Sequence, residues 1–120
     1  MQRDMDLVRA ILLAIERHPD GFAPQQLSIM GYTPEQVGYH ATLLKEAGLV
    51  EAIESTNYDD TSPMAIITRL TWQGHEFLEA ARSPDIWSQA KQLMHKAGGG
   101  SFAVWQTVLV ELVKRNLGLG

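Results

Sequence analysis

Cysteine is absent from this 120-residue chain, so proton transfer or metal ligation would fall to its four histidines and its carboxylates. Their spacing argues against both. His40 lies on the apolar side of a helical repeat, and Gln36 and Leu44, one turn away, offer neither a carboxylate nor a second imidazole. It reads as a partly buried structural histidine with a satisfied ring nitrogen. His75 stands beside Glu76 and near Glu79, which suits a local ion pair or a cap contact. His18 and His95 read as surface groups. No Ser-His-Asp spacing, HExxH, P-loop or Rossmann fingerprint occurs. The chain therefore reads as a binding protein, with no catalytic residue, no metal and no cofactor, rather than as an enzyme.

The residues suited to binding cluster around one helix, expected over residues 34–47. Thr33 is a good N-cap, Pro34 suits the first helical position, and Glu35 complements the helix dipole. Val37, His40, Ala41, Leu44 and Ala47 recur on one face, Gly48 stops the run, and Leu49-Val50 opens an extended segment. A turn, a capped helix and a following strand are the second half of a helix-turn-helix with a wing behind it. In a major groove the opposite face would read DNA. Tyr39 and Thr42 would hydrogen-bond, Lys45 would reach a phosphate, and Gly38 would allow close approach. Arg3, Arg9 and Arg69 would extend a positive stripe from Lys45. Against this, Glu35 and Glu46 share the face, and it has no arginine. Between Lys45 and Arg69 there is no Lys or Arg, while Glu46, Glu51, Glu54, Asp59 and Asp60 occur, a wing that would repel phosphates. The same surface suits a protein partner.

Other elements must position that helix. A first helix over residues 4–17 is apolar on most sides, with Leu7, Ala10, Ile11 and Ala14 widened by Val8, Leu12, Leu13 and Ile15. It is expected to pack between the helix-turn-helix and the later helices. Residues 18–21 form a turn. Residues 22–30 suit a brief strand or a single turn of helix. Residues 49–55 and 64–72 suit strands, and the loop chemistry of 56–63 makes them a hairpin. A helix follows to residue 82, then Ser83-Pro84 starts another over 84–97. Gly98-Gly99-Gly100 reads as a flexible break. Ser101 caps a last helix to about residue 117, whose stripe of Phe102, Trp105, Val108, Leu109, Leu112 and Val113 is broad enough to pair two copies. Phe102, Trp105, Leu109 and Leu112 would centre that homodimer interface. Trp72, Trp87 and Trp105 read as core or interface anchors.

The whole chain sets the outer bounds. Its length suits a real core, and 45% apolar with 20% charged residues is ordinary for a globular protein. A formal net charge of -4 does not favour nucleic acid, although local patches matter more than the total. The N-terminus lacks a signal-peptide pattern and no segment is apolar enough to span a membrane, so the cytoplasm is the expected location. The expected architecture is mainly α with a small β-hairpin, an α+β winged helix-turn-helix over residues 1–82. Residues 83–120 would be a helical extension packed on it or on a partner subunit.

Three blocks carry a family resemblance: RDMDLVRAILLAIE at residues 3–16, GYTPEQVGYHATLLKEAGLV at 31–50 and RLTWQGHEFLEAAR at 69–82. The Gly-Tyr-x6-Tyr-His and Leu-Thr-Trp-x-Gly-His-Glu-Phe elements are the most specific. Together the blocks resemble an uncharacterised bacterial and phage family, a domain of unknown function. That family's likeness to winged-helix regulators implies a DNA-binding transcriptional regulator of phage or prophage type. The alternative is a protein-interaction adaptor that kept the scaffold and lost its basic surface.

Overall fold

The structure, a computed structural model, describes residues 1–118. Five helices and one two-stranded antiparallel sheet make these residues mainly helical, α+β in class. They divide into two compact units, Met1–His75 and a second beginning at Glu76. The division falls inside a helix, earlier than the boundary expected after Arg82.

In the first unit, α1 spans Met5–Arg17. The Asp4 carboxylate starts it by accepting the Leu7 N–H at 3.1 Å, which satisfies one of the unpaired donors of the first turn. Leu7, Val8, Ile11, Leu12 and Ile15 of the expected apolar surface are buried, together with Met5, while Ala10, Leu13 and Ala14 are only half-buried. α2 spans Pro34–Glu46 and begins with a capping box. The Thr33 hydroxyl accepts the Gln36 N–H, and the Gln36 side chain accepts the Thr33 N–H. It ends in a Schellman motif. Leu49 N–H bonds Leu44 C=O, Gly48 N–H bonds Lys45 C=O, and Gly48 takes the required positive φ of 76°.

Residues 22–30 form neither the strand nor the helical turn expected of them. Pro24 lacks an N–H to donate, and the one sheet-like bond is from the Ala23 N–H to the Thr68 carbonyl at 2.8 Å.

β1 (Val50–Glu54) and β2 (Ala65–Leu70) form the expected hairpin. Its register shifts between Glu51 and Ala52, because Thr68 is an extra residue in β2. The Thr68 hydroxyl donates back to the Glu51 carbonyl at 3.1 Å, tying the bulge to β1. Val50, Ala65, Ile67 and Leu70 point inward and are buried. α1 packs on α2 and β2, and α2 covers both strands.

α3 spans Trp72–Ala81. Thr71 joins it to the hairpin: its hydroxyl accepts the Gly74 N–H at 3.1 Å and donates to the Gly48 carbonyl at 2.5 Å. Trp72, expected as an anchor, is 75% exposed. The inward face of α3 runs through Gly74 and the buried Phe77, Leu78 and Ala81, and Trp72 falls on the other side.

The second unit contains α4 (Pro84–Lys96) and α5 (Phe102–Asn116), each capped by a serine, Ser83 and Ser101. Trp87 stacks on Trp105 with ring centroids 5.0 Å apart, and Phe77 lies against Phe102 at 4.9 Å. Trp105, Leu109 and Leu112 are buried and Phe102 is half-buried within this one chain. The stripe expected to meet a second copy is filled from inside. A short covalent tether gives α4 a far higher effective concentration than any second molecule. The glycines are no swinging tether either. Gly98 N–H bonds His95 C=O and Gly99 N–H bonds Met94 C=O, a second Schellman motif that stops α4 and turns the chain back.

Candidate functional site

Asp4, Tyr32 and His40 meet at the N-terminus of α1. His40 is 1% exposed. Its Nδ1–H donates to the Gln36 carbonyl at 2.8 Å, and its Nε2 accepts the Asp4 backbone N–H at 2.8 Å. Both ring nitrogens are therefore occupied and the proton sits on Nδ1. The histidine is structural, as its position on the core face of α2 implied, and it closes two gaps where the sequence reading expected one. The Tyr32 hydroxyl donates to the other Asp4 carboxylate oxygen at 3.1 Å. Partial burial, and then the Asp4 carboxylate, raise the phenol's pKa above its ordinary value. Sequence reasoning missed Asp4 and Tyr32. Asp4 was recognisable as a cap, but its second oxygen is supplied to a residue far along the chain.

The residues expected to face a groove differ in their exposure on α2. Lys45 is exposed, as are Glu35 and Glu46, and Tyr39 is half-buried with its ring edge-on to His40. The half-buried Thr42 turns its hydroxyl back to the Gly38 carbonyl at 3.3 Å. Gly38 is buried, beneath the sulfur and methyl of Met64 from the start of the hairpin. The helix face turns about 100° per residue, which carries Gly38 from Val37 toward the strands. Because the obstacle is the end of a flexible side chain, Gly38→Ala is expected to change stability by less than about 1 kcal/mol, helix propensity offsetting the repacking of Met64. Urea denaturation of the variant measures this.

Arg69 is engaged within the hairpin. Its Nε and Nη2 donate to the two carboxylate oxygens of Glu51 at 3.0 and 2.6 Å, and its Nη1 donates to the Leu70 carbonyl at 3.0 Å. Strand register places the two side chains opposite each other. A bidentate pair of this kind is the stronger sort of surface ion pair. Next to it, Ile53 pairs with Ile66 on the same outer face, 63% and 55% exposed. The hairpin tip is ordered by the Asp60 carboxylate, which accepts the Asn57 N–H at 2.7 Å, and Tyr58 stands fully exposed there. The surface is thus an apolar pair flanked by carboxylates whose one guanidinium is neutralised. Glu51 and Arg69 were both visible in the sequence. Their pairing depends on a register that the Thr68 bulge sets.

Elsewhere, His18 pairs with Asp20 at 2.8 Å. His75 is exposed, and the ion pair near it is Glu79 with Arg82 at 2.8 Å, not a contact to the imidazole. Among the described residues no cluster of three or more His, Asp or Glu is placed to hold a metal. No helix among them is long and apolar enough to cross a membrane.

These features define a small α+β protein with a helix-and-hairpin unit followed by a helical unit. Residues 2–101 match the family model described as "Hypothetical protein (DUF2513)". The match passes Arg82 and includes all of α4. An "Uncharacterized protein" of Haemophilus influenzae (strain ATCC 51907 / DSM 11121 / KW20 / Rd) is 41% identical over 100 residues, which cover 76% of each chain. The chain belongs to the DUF2513 family. No solved structure matches it.

Proposed function

We propose that residues 1–75 are a protein-binding module of winged-helix type, an adaptor whose hairpin meets the partner. The order of α1, a short connection, a capped α2 and a two-stranded hairpin supports the winged-helix reading. One observation favours a protein over a nucleic acid. The only guanidinium of the hairpin is bound by both oxygens of Glu51, so the outer face offers the apolar Ile53–Ile66 pair beside a neutralised ion pair, with Asp59 and Asp60 at the tip and no free cation among the described residues of the hairpin. A wing that grips DNA needs cations free to replace counterions at phosphates. Taking Arg69 to a phosphate would also strand Glu51 beside the same backbone, a like-charge contact.

The second reading, a DNA-binding transcriptional regulator of phage type, rests on the exposed Lys45 and the half-exposed Tyr39 on α2. Fluorescence anisotropy of a random-sequence duplex with the full chain, across a salt series, separates the two. The adaptor reading expects no saturation at physiological salt below about 10⁻⁴ M, the weak end of non-specific DNA binding. It also expects no effect of Lys45→Ala. Affinity near 10⁻⁸ M that falls steeply with salt and is weakened by Lys45→Ala would establish DNA as the partner instead.

A further inference from the structure

β1 has one edge paired to β2 and one edge open. The Leu49 carbonyl accepts the Thr71 N–H, the Glu51 carbonyl accepts the Thr68 hydroxyl, and the Ser55 N–H donates to the Met64 carbonyl. Backbone groups alternate sides along a strand, so those of Leu49, Glu51, Ile53 and Ser55 face β2. The N–H and C=O of Ala52 and Glu54 face away. Among the described residues no hydrogen bond reaches these outward groups, and the sheet contains no third strand. An edge is blunted by a proline, a lysine or other charge, a bulge or a very short strand; β1 has neither proline nor lysine, and its charges are two glutamates, which turn away acidic strands and admit basic ones. β1 is Val-Glu-Ala-Ile-Glu, and the bulge is in β2.

We infer that this open edge of β1 receives an extended, basic segment of a partner protein, which adds to the hairpin as a third strand. The inference rests on the adaptor reading and names its partner class. Main-chain bonds to Ala52 and Glu54 would supply affinity, and alternate side chains would supply specificity. Ile53 lies on the outer face beside Ile66, so an apolar residue of the incoming strand packs there. Glu54 lies on the other face and is exposed, and Asp59 and Asp60 follow at the tip. With Glu51 already neutralised by Arg69, these carboxylates call for lysine or arginine in the partner. The same charges oppose pairing of two copies, since each β1 would bring its own Glu54 to the other's edge.

The probe is a labelled synthetic peptide of about eight alternating lysines and valines, the length of an ordinary strand, added to the full chain. Binding is expected to slow amide hydrogen exchange at Ala52 and Glu54 by at least about tenfold, as new ladder bonds do. A glutamate–valine peptide of equal length is expected not to bind. Glu54→Pro removes one outward N–H without touching a bond to β2, a substitution edge strands tolerate. It is expected to weaken the lysine–valine peptide about tenfold or more, and Glu54→Gln, which keeps the N–H, by about threefold. If Glu54→Pro does not fold, the exchange pattern of the unaltered protein decides. No binding at high micromolar peptide, unprotected amides at Ala52 and Glu54, or a folded Glu54→Pro that binds normally would overturn the inference. So would a dimer in light scattering that Glu54→Pro abolishes, because the edge would then belong to a second copy. Peptide-induced shifts of the Ile53 and Ile66 methyl resonances without protection at Ala52 and Glu54 overturn the edge while leaving the adaptor reading standing. Saturable, salt-sensitive binding of duplex DNA to the full chain, measured without the peptide, overturns both.

Discussion

Gly74→Ala is expected to destabilise the protein by about 4 kcal/mol, near the upper end for a single substitution. Gly74 sits in the first turn of α3 with its N–H held by Thr71. A Cβ on it would fall into the carbonyl of Leu49, whose oxygen already accepts the Thr71 N–H at 3.0 Å. The obstacle is backbone at the root of β1, so relief would require the hairpin and α3 to part. Alanine's better helix propensity returns only about 1 kcal/mol. Gly48→Ala supplies the comparison. Its φ of 76° strains any L side chain but nothing stands within 4 Å of the new methyl, so the cost is about 1–2 kcal/mol. Urea denaturation of both variants measures the difference. Equal midpoints would mean that α3 does not press on Leu49 as described.

His40→Ala is expected to cost about 3 kcal/mol. Removing the ring opens a cavity under α2 and leaves the Asp4 N–H and the Gln36 carbonyl without their partner. Tyr32→Phe removes a bond at a half-buried position and is expected to cost about 1 kcal/mol. Both substitutions act on Asp4, so the double variant should fall short of or exceed the sum rather than match it. Nitrogen chemical shifts of the ring supply a direct check, with the proton on Nδ1 and Nε2 bare. The opposite tautomer would contradict the capping role, as would a loss below about 1 kcal/mol in His40→Ala.

Local structure was legible because its causes are local. The Thr33 cap, Pro34, the apolar period of Val37, Ala41 and Leu44 and the stop at Gly48 all act within a few residues of one another. The same holds for the Ser83 and Ser101 caps and for the two strands of the hairpin. The sequence by itself determined the helices, the hairpin, the core side of His40 and the acidic balance of the segment after Lys45. The tertiary structure alone decided which neighbours those groups meet within the chain. Arg69 is taken by Glu51 because a bulge at Thr68 sets the register, Gly38 is covered by Met64, and the stripe of Trp105, Leu109 and Leu112 closes on its own neighbours. Each of these outcomes joins residues far apart in the chain. Periodicity shows that a side chain has an apolar or a charged face to satisfy, but which surface satisfies it depends on what the fold brings nearest.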